Sequence, residues 1–559
     1  MHYAARLVPP LLVAVAAVAS TAAAQTAWTS TATQGLSASQ LVSASDYGPA
    51  QPSQAITVRL SLNIQNKSAL LTYVKNISDP SNALYGQSLT PAQFAAAYAP
   101  SSAQVQQVVS YLQGAGFSNI TVEPNNLLVS ADGTVAQASA AFNTPIEQFS
   151  QNGAIVYGNT APAQVPASLG GIVGAVLGLN TIGKMKSTLV TRSQVSVPQY
   201  DVEYTPQQFW KAYSATGVPS ASNATIGIMA EGDLTGVIAD LRTEEKAFGL
   251  PQVPVTIVHV GIASPDTSGA DEWDLDSQYS TGMAGGTVKM LYMYDVTSLT
   301  DADVALEFSR WATDSKAKVG NASFGLCEVF PFLDGSMLAD DNSFLEGAAQ
   351  GQTMFSSTGD TGSFCPVEVG VNGVPGGVPM VNYPAASTYV TAAGGTTLLT
   401  NSDGSYDTET AWYAGGGGIS QFEGPPYWQT AANISATKAN SRAIPDVAMD
   451  ADPFSGAEVF VNGTPEGVGG TSLSSPLSVG VWARMISANS KLGYAPPHLY
   501  SLYNGAGVEG TGVDGTYPEG GFHDIIVGCD GLYCATPGWD YTTGLGSFWV
   551  SQIAADLKH

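Results

Sequence analysis

In the stretch GGTSLSSP, Ser472 follows two glycines and a threonine and leads into the apolar run SSPLSVGVWARMISANS. A serine in that setting can act as a nucleophile. Gly469 and Gly470 let the backbone turn tightly and approach a substrate, and free N–H groups at a helix start favour developing negative charge. The bland reading is an N-cap serine or threonine without chemistry. An activated serine needs a base within hydrogen-bond reach. Of five histidines, His2 lies in the leader, His559 is the last residue, His259 falls mid-strand in TIVHVG, His498 follows two prolines, and His523 adjoins Asp524. None has the setting of a base, so a carboxylate is the better candidate. In SGADEWDLDSQYS, Glu272 and Asp276 are four residues apart, which puts them on one helix face with Cβ atoms roughly 5 to 6 Å apart. Carboxyls that close titrate as a pair around one shared proton. Glu272 would take the serine proton and Asp276 would orient it, whereas Asp271 and Asp274 fall off that face. The bland alternative is a solvated acidic surface.

A second acidic group lies near the C-terminus, where Asp524 and Asp540 sit in the glycine-rich GFHDIIVGCDGLYCATPGWDYTTGLG. Oxygen ligands of this kind suit a hard ion such as calcium; acidic turns without metal are the competing reading.

The elements that must position these groups alternate in type. Strand-like runs occur at 225–231, 255–261, 288–296, 317–325 and 352–360, with helical patterns between them, among them ADVALEFSRWATDS, whose Val304, Phe308, Trp311 and Ala312 share a face. This alternation predicts an α/β domain with a mainly parallel central sheet flanked by helices, and functional groups at the carboxyl ends of its strands. After Ser472, the residues Leu477, Val481, Trp482, Met485 and Ile486 mark a buried helical stripe. Residues 54–180 mix strand-like and helix-like pieces, and 184–200 read as a linker carrying Lys184, Lys186 and Arg192.

Composition bounds the class. The chain has 559 residues and 44% hydrophobic content, ample for a large core. Residues 1–24 read as a secretory signal, and no later apolar run reaches the roughly 18 to 20 residues of a membrane helix. With 45 acidic and 19 basic residues the net charge is −26, a surface unsuited to nucleic acid or anionic membrane. Much of that charge is neutralised near the ordinary carboxyl pKa of about 4, which fits acidic surroundings; at such pH an ordinary histidine is protonated and useless as a base. The four cysteines pair most simply as Cys327 with Cys365 and Cys529 with Cys534.

Taken together these segments resemble the sedolisin family of serine-carboxyl peptidases. ExxxDxQY at 272–279 looks like the family's Glu and Asp helix, STGD at 357–360 like its oxyanion-site aspartate, and GGTSLSSP like its subtilisin-type serine segment, in the family's order. NYPAASTYVTAAGGTTL, GGGGISQFEGPPYWQ and RAIPDVAMDADP are similar too. The resemblance implies a subtilisin-like catalytic domain over 201–559, preceded by an α+β activation propeptide over 25–183 and a processing linker over 184–200. It implies that Asp360, as a protonated carboxyl, donates to the oxyanion. It also implies one Ca²⁺ held by Asp524, Asp540 and the backbone carbonyls of Ile525, Thr536 and Gly538. Glu231 resembles an acidic residue that supports the catalytic aspartate in some relatives, although Phe324 stands where a tryptophan often accompanies it; Trp273 reads as core.

The expectation is therefore a secreted, extracellular, acid-active and monomeric peptidase acting on proteins or peptides, inhibited by its own propeptide, with no nucleic-acid or membrane partner. Internal cuts and tripeptide release both stay open. A catalytically silent binding protein on the same scaffold is the alternative reading.

Overall fold

In the computed structural model, residues 27–35, 44–151, 154–191, 202–365, 377–434, 440–503 and 518–558 are described. The signal at 1–24, linker residues 192–200, His2 and His559 lie outside them.

The strand-like runs of the larger domain form strands β1 (Thr225–Glu231), β2 (Val255–Val260), β3 (Met290–Val296), β4 (Val319–Ala322), β5 (Thr353–Ser357), β6 (Thr391–Thr400), β7 (Tyr406–Ala411) and β8 (Val447–Asp450). They build one sheet in the order β2-β3-β1-β4-β5-β6-β7, with β8 also paired to β6. Every pairing is parallel except β6 with β7. Such a sheet is covered on both faces and its strands read as near-continuous apolar runs; all seven residues of β1 are buried accordingly.

Four helices matter for the site: α1 (Ala270–Met283), α2 (Asp301–Asp314), α3 (Ser336–Ala349) and α4 (Thr471–Ala488). In α2, Val304, Phe308, Trp311 and Ala312 are buried as the periodicity predicts. The other expectation is corrected in degree: α4 is buried on every side from Thr471 to Met485, not along one stripe. α1 is likewise buried throughout from Glu272 to Met283, which puts Asp274 inside although it lies off the Glu272 face. A helix enclosed on all sides needs no polar face, so its polar residues are free to do chemistry.

The N-terminal domain is α+β. A four-stranded antiparallel sheet orders Ser118–Val122, Leu128–Thr134, Ala55–Leu62 and Val173–Leu177, with helices that include Lys67–Ile77 and Ser102–Gly114 and a core of its own around Val58, Leu60, Val108, Leu112, Val129 and Phe142. It is docked on α2 and α3: Arg59 Nη2 meets Asp303 Oδ1 at 2.7 Å, and Asn125 donates to Glu346 at 2.7 Å. Both expected disulfides are present, with Cα separations of 5.7 Å for Cys327–Cys365 and 4.0 Å for Cys529–Cys534. No described helix is long and apolar enough to cross a membrane.

Candidate active site

At the carboxyl ends of the central strands three chain segments converge on the start of α4. Gly470 precedes that helix at φ +96°, where a Cβ would lie 2.1 Å from the Thr188 carbonyl oxygen and 2.6 Å from Asp360 Oδ2. Only glycine admits so close an approach. Ser472, in the first turn, is fully buried, and its hydroxyl donates to Glu272 Oε2 at 2.9 Å.

Glu272 and Asp276 sit one turn apart on α1, 2% and 0% exposed. The Ser187 hydroxyl also donates to Glu272 Oε2, and the Ser323 hydroxyl donates to Asp276 Oδ1 at 2.6 Å. Their other oxygens, Glu272 Oε1 and Asp276 Oδ2, are buried and receive no donor. Burial pushes both carboxyls above the usual range; hydrogen bonds from Ser187 and Ser472 oppose the shift on Glu272, and the Glu272 charge adds to it on Asp276. A like-charged pair out of water cannot ionise fully.

Asp360 follows β5. Its Oδ1 accepts the Thr471 N–H and the Thr471 hydroxyl, each at 2.8 Å, while Oδ2 is buried without a partner. Burial raises its pKa to about 7 against the pull of both Thr471 bonds. The four residues read from the sequence as catalytic thus come together around one point.

None of the three described histidines hydrogen-bonds to Ser472. His259 Nδ1 pairs with Asp295 at 2.8 Å. His498 stacks on Trp482 and His523 between Tyr406 and Trp549, and burial lowers both to about 4. Glu231 is engaged elsewhere, by the Leu299 N–H at 2.9 Å and by Lys184 at 3.5 Å. Trp273 is core, its indole donating to the Glu231 carbonyl and its ring set edge-on to Phe324.

Sequence reading missed the residues that brace the site. A hydrogen-bond chain runs from Ser475 to Asn321 Oδ1 at 2.6 Å, and from Asn321 Nδ2 to Ser323 Oγ at 2.9 Å, ending on Asp276. The only available signal was the position of ASFG at a strand's carboxyl end. Residues 184–191, read as a linker, in fact enter the cleft. Lys186–Ser187 pair antiparallel with Gly325 and Phe324, and Val190–Thr191 with Gly469 and Val468.

Away from this cleft, Asp524 Oδ2 accepts the Gly538 N–H and Asp540 Oδ2 the Thr536 N–H, each at 2.9 Å. Both carboxylates close on the 536–538 turn, and Ile525 is buried beside them in the chain. Asp540 Oδ1 also accepts the N–H groups of Thr542 and Thr543, at 2.8 and 2.9 Å. Carboxylate oxygens are the ligand type a hard cation takes.

Residues 43–182 match the Pro-kumamolisin activation domain. Over 98% of its length the chain is 36% identical to sedolisin of Pseudomonas sp. (strain 101), covering 95% of that protein. It is also 36% identical to xanthomonalisin of Xanthomonas sp. (strain T-22), over 99% of this chain and 71% of the relative. The structure of Pseudomonas sedolisin complexed with two molecules of pseudo-iodotyrostatin superimposes at a TM-score of 0.58 and 35% identity, over 64% of this chain and 98% of that one. With an activation domain ahead of a serine-type peptidase fold, the chain belongs to the sedolisin family of serine-carboxyl peptidases.

Proposed function

We propose that the protein is a secreted, acid-active peptidase in which Ser472 attacks the scissile carbonyl, Glu272 accepts its proton, Asp276 orients Glu272, and Asp360 donates to the oxyanion. The observation that carries this reading is the 2.9 Å bond from Ser472 Oγ to Glu272 Oε2. One proton on the acidic pair accounts for the rest. Ser323 occupies Asp276 Oδ1, so protonated Asp276 offers its hydrogen from Oδ2 toward Glu272 Oε1, both otherwise unsatisfied. Glu272 then stays ionised at the oxygen that faces Ser472.

Attack moves the Ser472 proton to Glu272, which returns it to the leaving amine; water then hydrolyses the acyl-enzyme with the same proton traffic reversed. Because Thr471 saturates Asp360 Oδ1, the Asp360 proton belongs on Oδ2, aimed beside Gly470 at the place where charge develops. A carboxyl donates there only while protonated, which ties the chemistry to acidic pH.

Secretion is supported by the apolar leader and by two disulfides, which persist in oxidising compartments. The N-terminal domain would hold the enzyme silent, since its tail lies across the cleft. One Ca²⁺ would be held by Asp524 and Asp540 with the carbonyls of Ile525, Thr536 and Gly538, supplying a structural tie for the C-terminal loop. Protein or peptide substrates and a monomeric state complete the reading.

The test is hydrolysis of a long unstructured peptide at about pH 4, near the ordinary carboxyl pKa, by wild type, Ser472→Ala and Glu272→Gln. Both variants should lose activity; full activity in Ser472→Ala would refute the assignment and favour a silent scaffold protein.

A further inference from the structure

We propose that maturation of this chain occurs at the Thr188–Leu189 peptide bond, which its own active site already holds in register for cleavage. This rests on the peptidase reading of Ser472 above. The segment is anchored on both sides of the nucleophile, 186–187 by the 324–325 edge and 190–191 by the 468–469 edge. An extended chain pinned antiparallel to two edges spans the gap between them with two residues here, 188 and 189, and one of them carries the contacts that fix the bond.

That residue is Thr188. Its N–H donates to the Ser323 carbonyl at 3.2 Å, which fixes its rotation about the chain axis. A side chain at Gly470 would meet both the Thr188 carbonyl oxygen, at 2.1 Å, and Asp360 Oδ2, at 2.6 Å, so the two oxygens border the same space that Gly470 leaves open. Among the described residues of this segment, Thr188 alone combines both contacts.

The preceding and present side chains complete the fit. The Ser187 hydroxyl rests on Glu272 Oε2, and the Thr188 hydroxyl lies 2.7 Å from Ser472 Oγ and 2.7 Å from Ser357 Oγ. Two hydroxyls thus engage the base and the nucleophile while the bond is intact, which slows the cut without moving the bond out of place.

In the reaction Ser472 Oγ bonds to the Thr188 carbonyl carbon and its proton passes to Glu272. The Thr188 C–N bond then breaks, and the same proton goes to the Leu189 nitrogen, which leaves as an amine. Water hydrolyses the Thr188 ester, restoring Ser472 and a Thr188 carboxyl group. The processed chain begins Leu-Val-Thr-Arg-Ser. Since bond and nucleophile belong to one molecule, the rate is set by positioning and is independent of concentration.

The test acidifies full-length protein to about pH 4, quenches samples from the earliest times, and reads N-terminal sequence and intact mass, with a fluorogenic peptide assayed in parallel. Leu189 should be the first new N-terminus, with a first-order rate unchanged by tenfold dilution (about 10-fold, where a bimolecular cut would slow equally). Leu189→Pro should slow appearance of this terminus by about 100-fold or more, with circular dichroism confirming that the variant folds. An early N-terminus only elsewhere, or undiminished processing in Leu189→Pro, overturns the assignment while Ser472-dependent peptide hydrolysis leaves the peptidase reading standing. Absence of that hydrolysis in wild type instead removes the peptidase reading and this inference with it.

Discussion

One oxygen of Asp360 accepts both the amide and the hydroxyl of Thr471, at 2.8 Å each, which leaves the opposite oxygen as the only place for a proton. An asparagine could reproduce this arrangement, its Oδ1 facing Thr471 and its amide donating at every pH. Asp360→Asn is therefore expected to retain measurable peptide hydrolysis and to extend it to higher pH, because the donor no longer titrates near 7. Asp360→Ala should lower kcat by about 100- to 1000-fold at all pH. Profiles of kcat/KM against pH check both, and an alkaline limb in Asp360→Asn identical to wild type would remove Asp360 as the titrating donor.

Ser323 acts through Asp276. Its hydrogen bond favours ionised Asp276 and opposes the upward push of burial. Ser323→Ala should raise the apparent pKa of the acidic pair, moving the acid limb of the kcat profile upward and cutting kcat by about two- to tenfold, the scale of one lost hydrogen bond. KM should change little, because the Ser323 carbonyl that holds Thr188 is backbone. An unmoved acid limb would reduce Ser323 to packing.

Stability should fall as pH rises. Burial raises Asp301, Asp340, Glu307 and Asp450 well above ordinary carboxyls, with neighbouring carboxylates adding to each shift. Burial also brings Glu244 and Glu346 to about 8. A folded-state pKa above the unfolded value of about 4 means that the folded chain binds more protons, so the contribution is complete below that value and is lost as pH rises through the raised one. Exposed Asp79, Asp233, Asp266 and Asp403 shift the other way through local hydrogen bonds to serine or threonine, but solvent screens them. Full-length Ser472→Ala, scanned at fixed calcium, should melt about 5 °C or more lower at pH 8 than at pH 4.5. A midpoint that climbs with pH contradicts this account.

Calcium removal should loosen the C-terminal loop. A chelator at neutral pH is expected to lower the melting midpoint by several degrees, as loss of any ligand specific to the folded state does. Asp540→Asn should abolish both the calcium response and the calorimetric binding heat. A midpoint indifferent to the chelator, together with no heat on adding Ca²⁺, counts against the ion.

The sequence by itself determined what depends on neighbours along the chain. The i, i+4 spacing of Glu272 and Asp276, the place of Ser472 at the head of an apolar helix, the β/α alternation and the two disulfides were all legible because each is a short-range pattern or a small combinatorial choice. Tertiary structure decided which oxygen does what. The contacts that occupy Asp360 Oδ1 and leave Oδ2 for a proton join residues 111 apart in sequence, and Ser323 reaches Asp276 across 47. Periodicity also cannot show that α1 and α4 are enclosed on every side, since a fully buried helix has no polar face to betray its orientation. The placement of 184–191 was invisible for a different reason: its pattern is polar and aperiodic, and only the edges at 324–325 and 468–469 make it two strands across the cleft.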